Sequence, residues 1–200
     1  MNTNSEREEQ LVLELLDAVG KNSKVSQRHL ARQMGIALGL ANSYLKRCIR
    51  KGFIKIGEAP AHRYLYYLTP TGFSEKSRLT ANYLASSFQF YRLANESCSR
   101  VFEICEARRW RSIALCGISD LAEIASLRAQ GRNVEIVGTY DPHTDHRRFI
   151  DRPVWHRLEQ VVRCDAWLLT DLNAPGLIYE HLVATVGPDR ILVPDILRLG

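Results

Sequence analysis

The chain has 200 residues, of which 46% are hydrophobic and 24% are charged. This composition excludes a mainly disordered protein and allows one large domain or two small ones, since domains typically hold about 100–150 residues. The sequence has no run of about 18 apolar residues that would span a membrane. Its polar start, MNTNSEREEQ, is unlike a secretory signal. We therefore expect a cytoplasmic protein with no membrane partner.

Positive charge is concentrated in the first half of the chain. Residues 1–110 carry 17 Lys or Arg against 10 Asp or Glu, a net charge of +7. Residues 111–200 carry 10 against 12, a net charge of −2. Within residues 20–63, ten basic residues stand against the single acid Glu58. A solvated face rarely excludes acids over such a length, so this segment is expected to bind a polyanion.

The first 70 residues show the pattern of three helices followed by a hairpin. Apolar periodicity predicts a first helix over about Glu8–Val19, a second helix capped by Ser26, and a third helix over Leu38–Arg50. Two short strands, Phe53–Ile56 and Tyr64–Leu68, flank a loop that contains glycine and proline. This order of elements predicts a winged helix-turn-helix.

A further helix is predicted over Ala81–Arg108, which contains neither glycine nor proline. Its face repeats at alternating steps of four and three residues, which is typical of a helix that packs against another helix. The positions are Leu84, Phe88, Tyr91, Asn95, Cys98, Phe102 and Cys105. We expect this segment to form the subunit interface of a homodimer, and packing on the winged domain of the same chain is the alternative.

From Ser112 onward, predicted strands and helices alternate, which implies a parallel sheet with helices on its faces. The strands are Ser112–Cys116, Val134–Thr139, Ala166–Thr170 and Ile191–Val193, and the later helices are Trp155–Arg163 and Pro175–Val186. The predicted fold class is therefore α/β with two domains. A winged helix-turn-helix occupies residues 1–80, a long linking helix residues 81–110, and a small Rossmann-like domain residues 111–200.

Residues 5–73 resemble the winged-helix transcription regulators of the MarR type. The resemblance is carried by SQRHLARQMGIALGLANSYLKRCIRKGFI and, after the hairpin, by YYLTPTGF. It implies a DNA-binding regulator, usually a dimer, whose recognition helix enters the major groove.

The residues of this region support DNA binding by themselves. The third helix begins with small side chains that allow close approach to bases, and cations follow that can hold phosphates. Asn42 is suited to adenine, and Ser43 to a base edge or a phosphate. The second helix presents its N-terminus to the backbone, and the wing reaches a minor groove or a flanking phosphate. The predicted DNA contacts are Ser26, Gln27, Arg28, Asn42, Ser43, Lys46, Arg47, Arg50, His62 and Arg63.

Residues 117–122, GISDLA, follow a strand and imitate the dinucleotide fingerprint G-x-G-x-x-G, with Asp141 at the end of the next strand. This part resembles Rossmann-type domains that bind nicotinamide cofactors or nucleotide sugars, and the whole plan resembles the Rex redox repressors. Two of the three glycines are replaced, however, and Asp120 would repel a pyrophosphate. Asp120 with Glu123 is alternatively a helix capping box.

The broader crevice at the carboxyl ends of the strands is the stronger candidate ligand site, since open parallel sheets bind ligands there. Its polar groups suit a nucleotide sugar or another polar small-molecule effector, although polar loops at strand ends also occur without a ligand. No cofactor can be assigned. The predicted ligand contacts are Gly117, Ser119, Asp141, Thr170, Asp171 and Asn173.

Three further signals are weak. The five cysteines have no metal-ligand spacing and are expected to be reduced and buried, although Cys98 and Cys105 allow a redox link between two chains. The acidic and histidine residues of 141–156 match no ordinary zinc spacing, so we interpret them as a polar loop with no metal. The chain has no G-x-S-x-G elbow, Walker loop or H-E-x-x-H, so we expect no catalytic residues and no enzymatic activity.

The sequence thus predicts a transcription regulator that binds double-stranded DNA sequence-specifically and whose C-terminal domain senses a small molecule or mediates assembly. Two alternatives stay open. One is an enzyme or accessory protein of nucleotide-sugar metabolism that is tethered to DNA, and the other is a regulator whose second half is purely structural.

Overall fold

The computed structural model describes residues 3–59 and 63–199. The chain forms two compact units, Met1–Ser87 and Phe88–Gly200. The first is a winged helix-turn-helix and the second is a Rossmann-like sheet with helices, so the predicted α/β two-domain fold class is confirmed. The predicted domain limits stay a prediction. No helix among the described residues is both long enough and apolar enough to cross a membrane.

The first unit contains three helices and a hairpin. Its elements are α1 (Thr3–Lys21), α2 (Gln27–Gln33), α3 (Leu38–Arg50), and the antiparallel strands β1 (Ile54–Ala59) and β2 (Arg63–Leu68). Their apolar faces meet in one core, in which Leu15, Leu16, Leu30, Leu45 and Ile54 are at most 2% exposed.

The turn between α2 and α3 follows from local sequence chemistry. The Ser26 hydroxyl accepts a hydrogen bond from the His29 N–H at 3.2 Å and caps α2, as the sequence predicts. Gly35 takes a φ of +62°, the left-handed conformation that glycine adopts without steric cost. The chain then enters α3, whose bounds are those predicted.

Helix α4 (Pro70–Ala107) has 38 residues and begins eleven residues before the predicted start at Ala81. The Thr69 hydroxyl caps it by accepting from the Gly72 N–H at 3.0 Å, and Pro70 occupies the first helical position. Gly72 is required there, because a Cβ atom would lie 1.9 Å from the Phe53 carbonyl oxygen. The start of α4 therefore lies directly against the start of the hairpin.

The predicted interface face of α4 divides into two parts. Cys98, Phe102 and Cys105 are fully buried in the core of the second unit, so their assignment to a subunit interface is wrong. Leu84, Phe88 and Tyr91 are exposed. The repeat of four and three residues thus continues through both parts, but among the described residues only the later part is covered by other elements.

The second unit contains β3 (Ser112–Cys116), α5 (Asp120–Ala129), β4 (Glu135–Tyr140), β5 (Arg148–Phe149), β6 (Arg152–Trp155), β7 (Ala166–Leu169), α6 (Pro175–Val186) and β8 (Ile191–Leu192). Its six strands form one sheet in the order β5-β6-β4-β3-β7-β8. All strand pairs are parallel except β5 with β6. Strands β6-β4-β3-β7-β8 have the order 3-2-1-4-5 of a Rossmann fold. In this order, successive strands are added to one side of β3 and then, from β7 onward, to its other side.

Both faces of this sheet are covered, which explains why its central strands β3 and β7 are almost continuously apolar. One face packs on α5 and on the later part of α4, with Phe102, Leu121 and Leu168 fully buried. The other face packs on α6, where Leu169 and Leu182 are fully buried.

Two predictions of local structure in this unit are wrong. Residues 155–163 do not form a helix: Val154 and Trp155 pair with β4, and only a short 3-10 turn at Leu158–Gln160 follows. The capping box of Asp120 and Glu123 is also absent, because the N-cap is Ser119, whose hydroxyl accepts from the Ala122 N–H at 3.2 Å.

Candidate nucleic-acid interface and strand-end crevice

One face of α3 is exposed and carries small and basic side chains. Gly39, Ser43, Lys46 and Arg50 follow one another at steps of four, three and four residues, so they lie along one side of the helix. The opposite side is buried in the core and consists of Ala41, Tyr44, Leu45 and Cys48. Helix α3 contains no acidic residue. This is the geometry expected of a recognition helix.

The cations of α2 and α3 differ in their surroundings. Arg28, Lys46 and Arg50 are exposed and form no ion pair among the described residues. Arg47 is half-buried: its two terminal nitrogens each lie 3.2 Å from Oε2 of Glu8, and its guanidinium lies 4.8 Å from the centre of the Tyr44 ring. Lys46 and Arg50 are therefore free to meet phosphate, whereas Arg47 must first leave Glu8.

Three of the five acids of α1 form ion pairs with nearby cations. Besides the Glu8 pair, Asp17 lies 2.6 Å from the Lys21 ammonium and 2.7 Å from that of Lys76. Hydrogen bonds from Lys21 and Lys76 hold the pKa of Asp17 below its ordinary value. Glu9 in turn lies 3.3 Å from Arg78 on α4. The other two acids of α1, Glu6 and Glu14, form no ion pair among the described residues.

The start of α2 has fewer groups available for a DNA phosphate than the sequence predicts. The hydroxyl of Ser26 is used for capping, and the Gln27 side chain donates to the Tyr66 hydroxyl of the hairpin at 3.2 Å. Helix α2 has only seven residues, so its dipole is small. Arg28, which is exposed, is the group of this segment best placed to reach a phosphate.

Asn42 is placed differently from the prediction. Its Oδ1 atom is buried and has no hydrogen-bond partner among the described residues. Pairing with adenine needs both Oδ1 as an acceptor and Nδ2 as a donor at the base edge. In this side-chain conformation Oδ1 is out of reach, so recognition of adenine by Asn42 requires rotation of the side chain.

The hairpin adds three exposed residues that the sequence reasoning missed, Lys55, Tyr64 and Tyr67. Lys55 and Tyr67 are cross-strand partners on its exposed side, with the ammonium 5.9 Å from the ring centre, and the Tyr64 side chain is 59% exposed. The alternation of side chains along a strand could have predicted this. Ile54 faces the core, so its neighbour Lys55 faces solvent. The prediction on His62 falls outside the described residues, as does the side chain of Arg63.

The structure brings the predicted crevice residues together where β3 and β7 end. Thr170 donates to the Gly117 carbonyl at 2.6 Å, and Ser119 donates to the Thr170 carbonyl at 2.5 Å. Gly117 has a φ of +100°, and a Cβ atom there would lie 2.6 Å from the Cα of Asp171. The two loops are therefore in direct contact at the point where the strand order reverses.

The carboxylates of the crevice are engaged by the protein backbone. Asp141 is 7% exposed and accepts from the Ile118 N–H and the His143 N–H, both at 2.9 Å. Asp171 accepts from the N–H groups of Asn173 at 2.9 Å and of Ala174 at 2.6 Å. These side chains hold the loops in place. The Asn173 side chain is the exposed member of the predicted set.

The cysteines and the acidic and histidine residues of 141–156 form neither a redox link nor a metal site among the described residues. All five thiols are buried, and burial raises the pKa of Cys98 and of Cys105 to about 11. Because both are fully buried, neither reaches a second chain in this conformation. Within residues 3–59 and 63–199, no group of three or more His, Cys, Asp and Glu side chains is arranged to hold a metal ion.

A family model described as winged helix-turn-helix DNA-binding matches residues 9–55. The match runs from α1 into β1 and includes all of α2 and α3. The chain therefore carries a winged helix-turn-helix DNA-binding domain at its N-terminus. A search of curated proteins gives no match.

Among solved structures, the chain is similar to human N-acetylserotonin methyltransferase in complex with SAM, with 12% identity and a TM-score of 0.33 over 96% of this chain and 76% of that one. It is also similar to PigF with SAH, with 12% identity and a TM-score of 0.26 over 96% of this chain and 56% of that one. At these TM-scores the similarity gives no argument about the chemistry of this chain.

The prediction that the chain has no enzymatic activity does not stand, because the solved structures similar to this chain include an enzyme, N-acetylserotonin methyltransferase. This similarity assigns no activity to the chain. That prediction depended on the absence of short catalytic motifs, and such motifs mark only some classes of enzyme. We therefore withdraw it.

Proposed function

We propose that this protein is a transcription regulator of the MarR type that binds double-stranded DNA sequence-specifically as a homodimer. Helix α3 enters the major groove, and the hairpin β1–β2 acts as the wing. The observation that carries the proposal is the exposed face of α3, where Gly39 and Ser43 are followed by Lys46 and Arg50 with no acid on the helix.

The order of side chains on this face matches the needs of groove binding. Gly39 has open space around it: apart from its chain neighbours and the backbone of its own helix, no heavy atom of the described residues lies within 4 Å of the position of a Cβ. A small residue at this point lets the helix approach the bases closely, and Ser43 on the next turn has a hydroxyl for a base edge or phosphate. Lys46 and Arg50 then follow at the distances of one and two turns, where they neutralise phosphates and release counterions.

The second unit is proposed to sense a polar small molecule or to mediate assembly. Its strand order, which reverses between β3 and β7, supports a ligand at the ends of these strands. Because Asp141 and Asp171 are engaged by backbone N–H groups, we expect a ligand to meet Asn173 and the exposed loop edges first.

DNA binding is tested by removing the two free cations of α3 one at a time. Lys46→Ala and Arg50→Ala are each expected to weaken binding to a DNA duplex and to flatten the salt dependence by about one counterion. Arg163→Ala is the matched control, because this exposed arginine lies in the second unit. Fluorescence anisotropy across a salt series measures both effects. An equal loss in the Arg163→Ala protein would refute the assignment of α3 as the DNA-binding face.

A further inference from the structure

One segment of α4 is almost wholly exposed although it is largely apolar. Every residue from 81 to 89 is exposed, and so are Tyr91 and Leu93. Residues 79–91 contain no Asp, Glu, Lys or Arg, and Arg78 and Arg92 flank this stretch. An exposed helix in water ordinarily carries charged residues on its solvent face. The absence of charge over thirteen residues indicates that another surface covers this segment.

The apolar residues of the segment form a stripe. Leu84, Phe88 and Tyr91 are separated by four and three residues, so their side chains lie along one side of α4. Small residues border them, namely Ala81, Ala85 and Ser87. Further along the helix the same side continues through the fully buried Cys98 and Phe102. The stripe therefore continues a packing face beyond the elements that cover its later part.

The size of the stripe is that of an interface between subunits. Leu84, Phe88 and Tyr91 are 47%, 60% and 47% exposed. Since an aromatic side chain buries about 150–250 Å² when covered and a leucine somewhat less, these three offer on the order of 300 Å² of apolar surface. Two copies together offer about 600 Å². With roughly 60% of an interface apolar, the total is about 1,000 Å², the area that a biological interface is expected to reach.

We propose that the stripe Leu84, Phe88 and Tyr91 packs against the same stripe of a second copy of this chain, around a two-fold axis. A charged partner such as nucleic acid or an acidic peptide finds no complementary charge on residues 79–91. A second copy, in contrast, brings the same aromatic side chains and the same small residues, so large side chains of one helix fit beside small ones of the other. This inference names the surface of the homodimer proposed above and rests on that proposal.

The test compares two exposed leucines of the full-length protein. Leu84→Glu places a charge in the stripe, whereas Leu127→Glu places the same charge on α5 at a leucine that is 54% exposed. Sedimentation of the wild-type and Leu127→Glu proteins is expected to show a dimer. For Leu84→Glu, and likewise for Phe88→Glu, we expect the dimer dissociation constant to rise about 100-fold or more, because an unpaired charge is buried. The helical circular dichroism is expected to be unchanged, since both side chains are exposed in one chain.

Three outcomes would overturn the proposal: a wild-type protein that sediments as a monomer, a Leu84→Glu or Phe88→Glu protein that keeps the wild-type dimer constant, or equal weakening by Leu127→Glu. All of these measurements are made without DNA. A result that overturns the dimer interface therefore leaves the DNA-binding proposal untouched. Conversely, binding of the monomeric variant to a short duplex with one half-site reports on α3 alone.

Discussion

At the scale of single residues, Arg47 shows how an intramolecular contact alters a predicted role. The sequence places Arg47 among the phosphate contacts, and the structure pairs it with Glu8 and stacks it on Tyr44. An exposed ion pair is worth about 0.2–1 kcal/mol, which is less than a well-placed phosphate contact contributes. Breaking the ion pair with Glu8 therefore opposes contact of Arg47 with DNA only weakly. The predicted phosphate contact of Arg47 stays a prediction.

Removal of the Glu8 charge measures this effect. Glu8→Gln is expected to tighten DNA binding by about two- to fivefold, since the free energy of the broken ion pair no longer opposes binding. The control is Glu9→Gln, which removes one charge from the adjacent residue of α1 but frees Arg78 of α4 instead. Anisotropy titrations of the three proteins on one duplex at low salt give the comparison. Equal tightening by both variants would mean that net charge, and not release of Arg47, causes the change.

Single residues also mark the limit of prediction from sequence. Capping by Ser26 can be predicted from the sequence, because the hydroxyl accepts from the N–H group of a residue only three positions later. The roles of Gly117 and Asp171 cannot be predicted from the sequence, because their close approach joins loops that are 54 residues apart in the chain. Nor does the sequence reveal that Oδ1 of Asn42 is buried, which depends on the packing around α3.

At the scale of elements, the helices and strands whose ends are marked by neighbouring residues were predicted best. The bounds of α3, β3 and α6 are those expected, because glycine, proline and the apolar period mark their ends. The start of α4 was missed although Thr69 and Pro70 are a regular helix start. The apolar spacing of residues 155–163 predicted a helix, but pairing of β6 with β4 outweighs that local preference.

The join between β3 and β7 gives a prediction on stability. Oδ2 of Asp165 accepts from the N–H groups of Arg111 and Ser112 and from the Ser112 hydroxyl, at 2.8–2.9 Å. The backbone N–H groups of Arg111 and Ser112 lower the pKa of Asp165. A lowered pKa in the folded state means that the stabilisation is present above the unfolded pKa of about 4 and is lost as the pH falls below it.

Asp165→Asn is therefore expected to lower the melting temperature at pH 7. This difference in melting temperature from the wild type is expected to vanish at acid pH, where the Asp165 carboxylate is protonated. Asp145→Asn is the control, because Asp145 is exposed and its carboxylate has no hydrogen-bond donor among the described residues. Thermal unfolding followed by circular dichroism across a pH series measures both variants. A difference that stays constant with pH would show that the carboxylate charge of Asp165 is not the stabilising group.

At the scale of the whole molecule, charge and packing were predictable to different degrees. The basic first half and the mildly acidic second half follow from counting residues, and they agree with a DNA-binding domain at the N-terminus. Each unit has its own buried core, which alternating apolar patterns already suggest. The division of α4 into a covered part and an exposed part is beyond the sequence, because Phe88 and Phe102 are equally apolar and differ only in what packs on them.

A dimer that presents two copies of α3 makes binding depend on the spacing of two half-sites. The centres of the half-sites are expected about 10 base pairs, or a multiple of that, apart, so that both face the same side of the duplex. Insertion of about five base pairs turns one half-site to the opposite side, and the dimer then holds only one. For the wild-type protein we expect this insertion to weaken binding at least about tenfold, since the second set of phosphate and base contacts is lost.

The Leu84→Glu protein provides the matched comparison, because a monomer engages each half-site independently. Its affinity is expected to be low and the same for both spacings. The two proteins are titrated on an operator located by footprinting and on its five-base-pair insertion. A wild-type protein that is indifferent to the insertion would contradict simultaneous binding by two copies of α3, even if sedimentation shows a dimer.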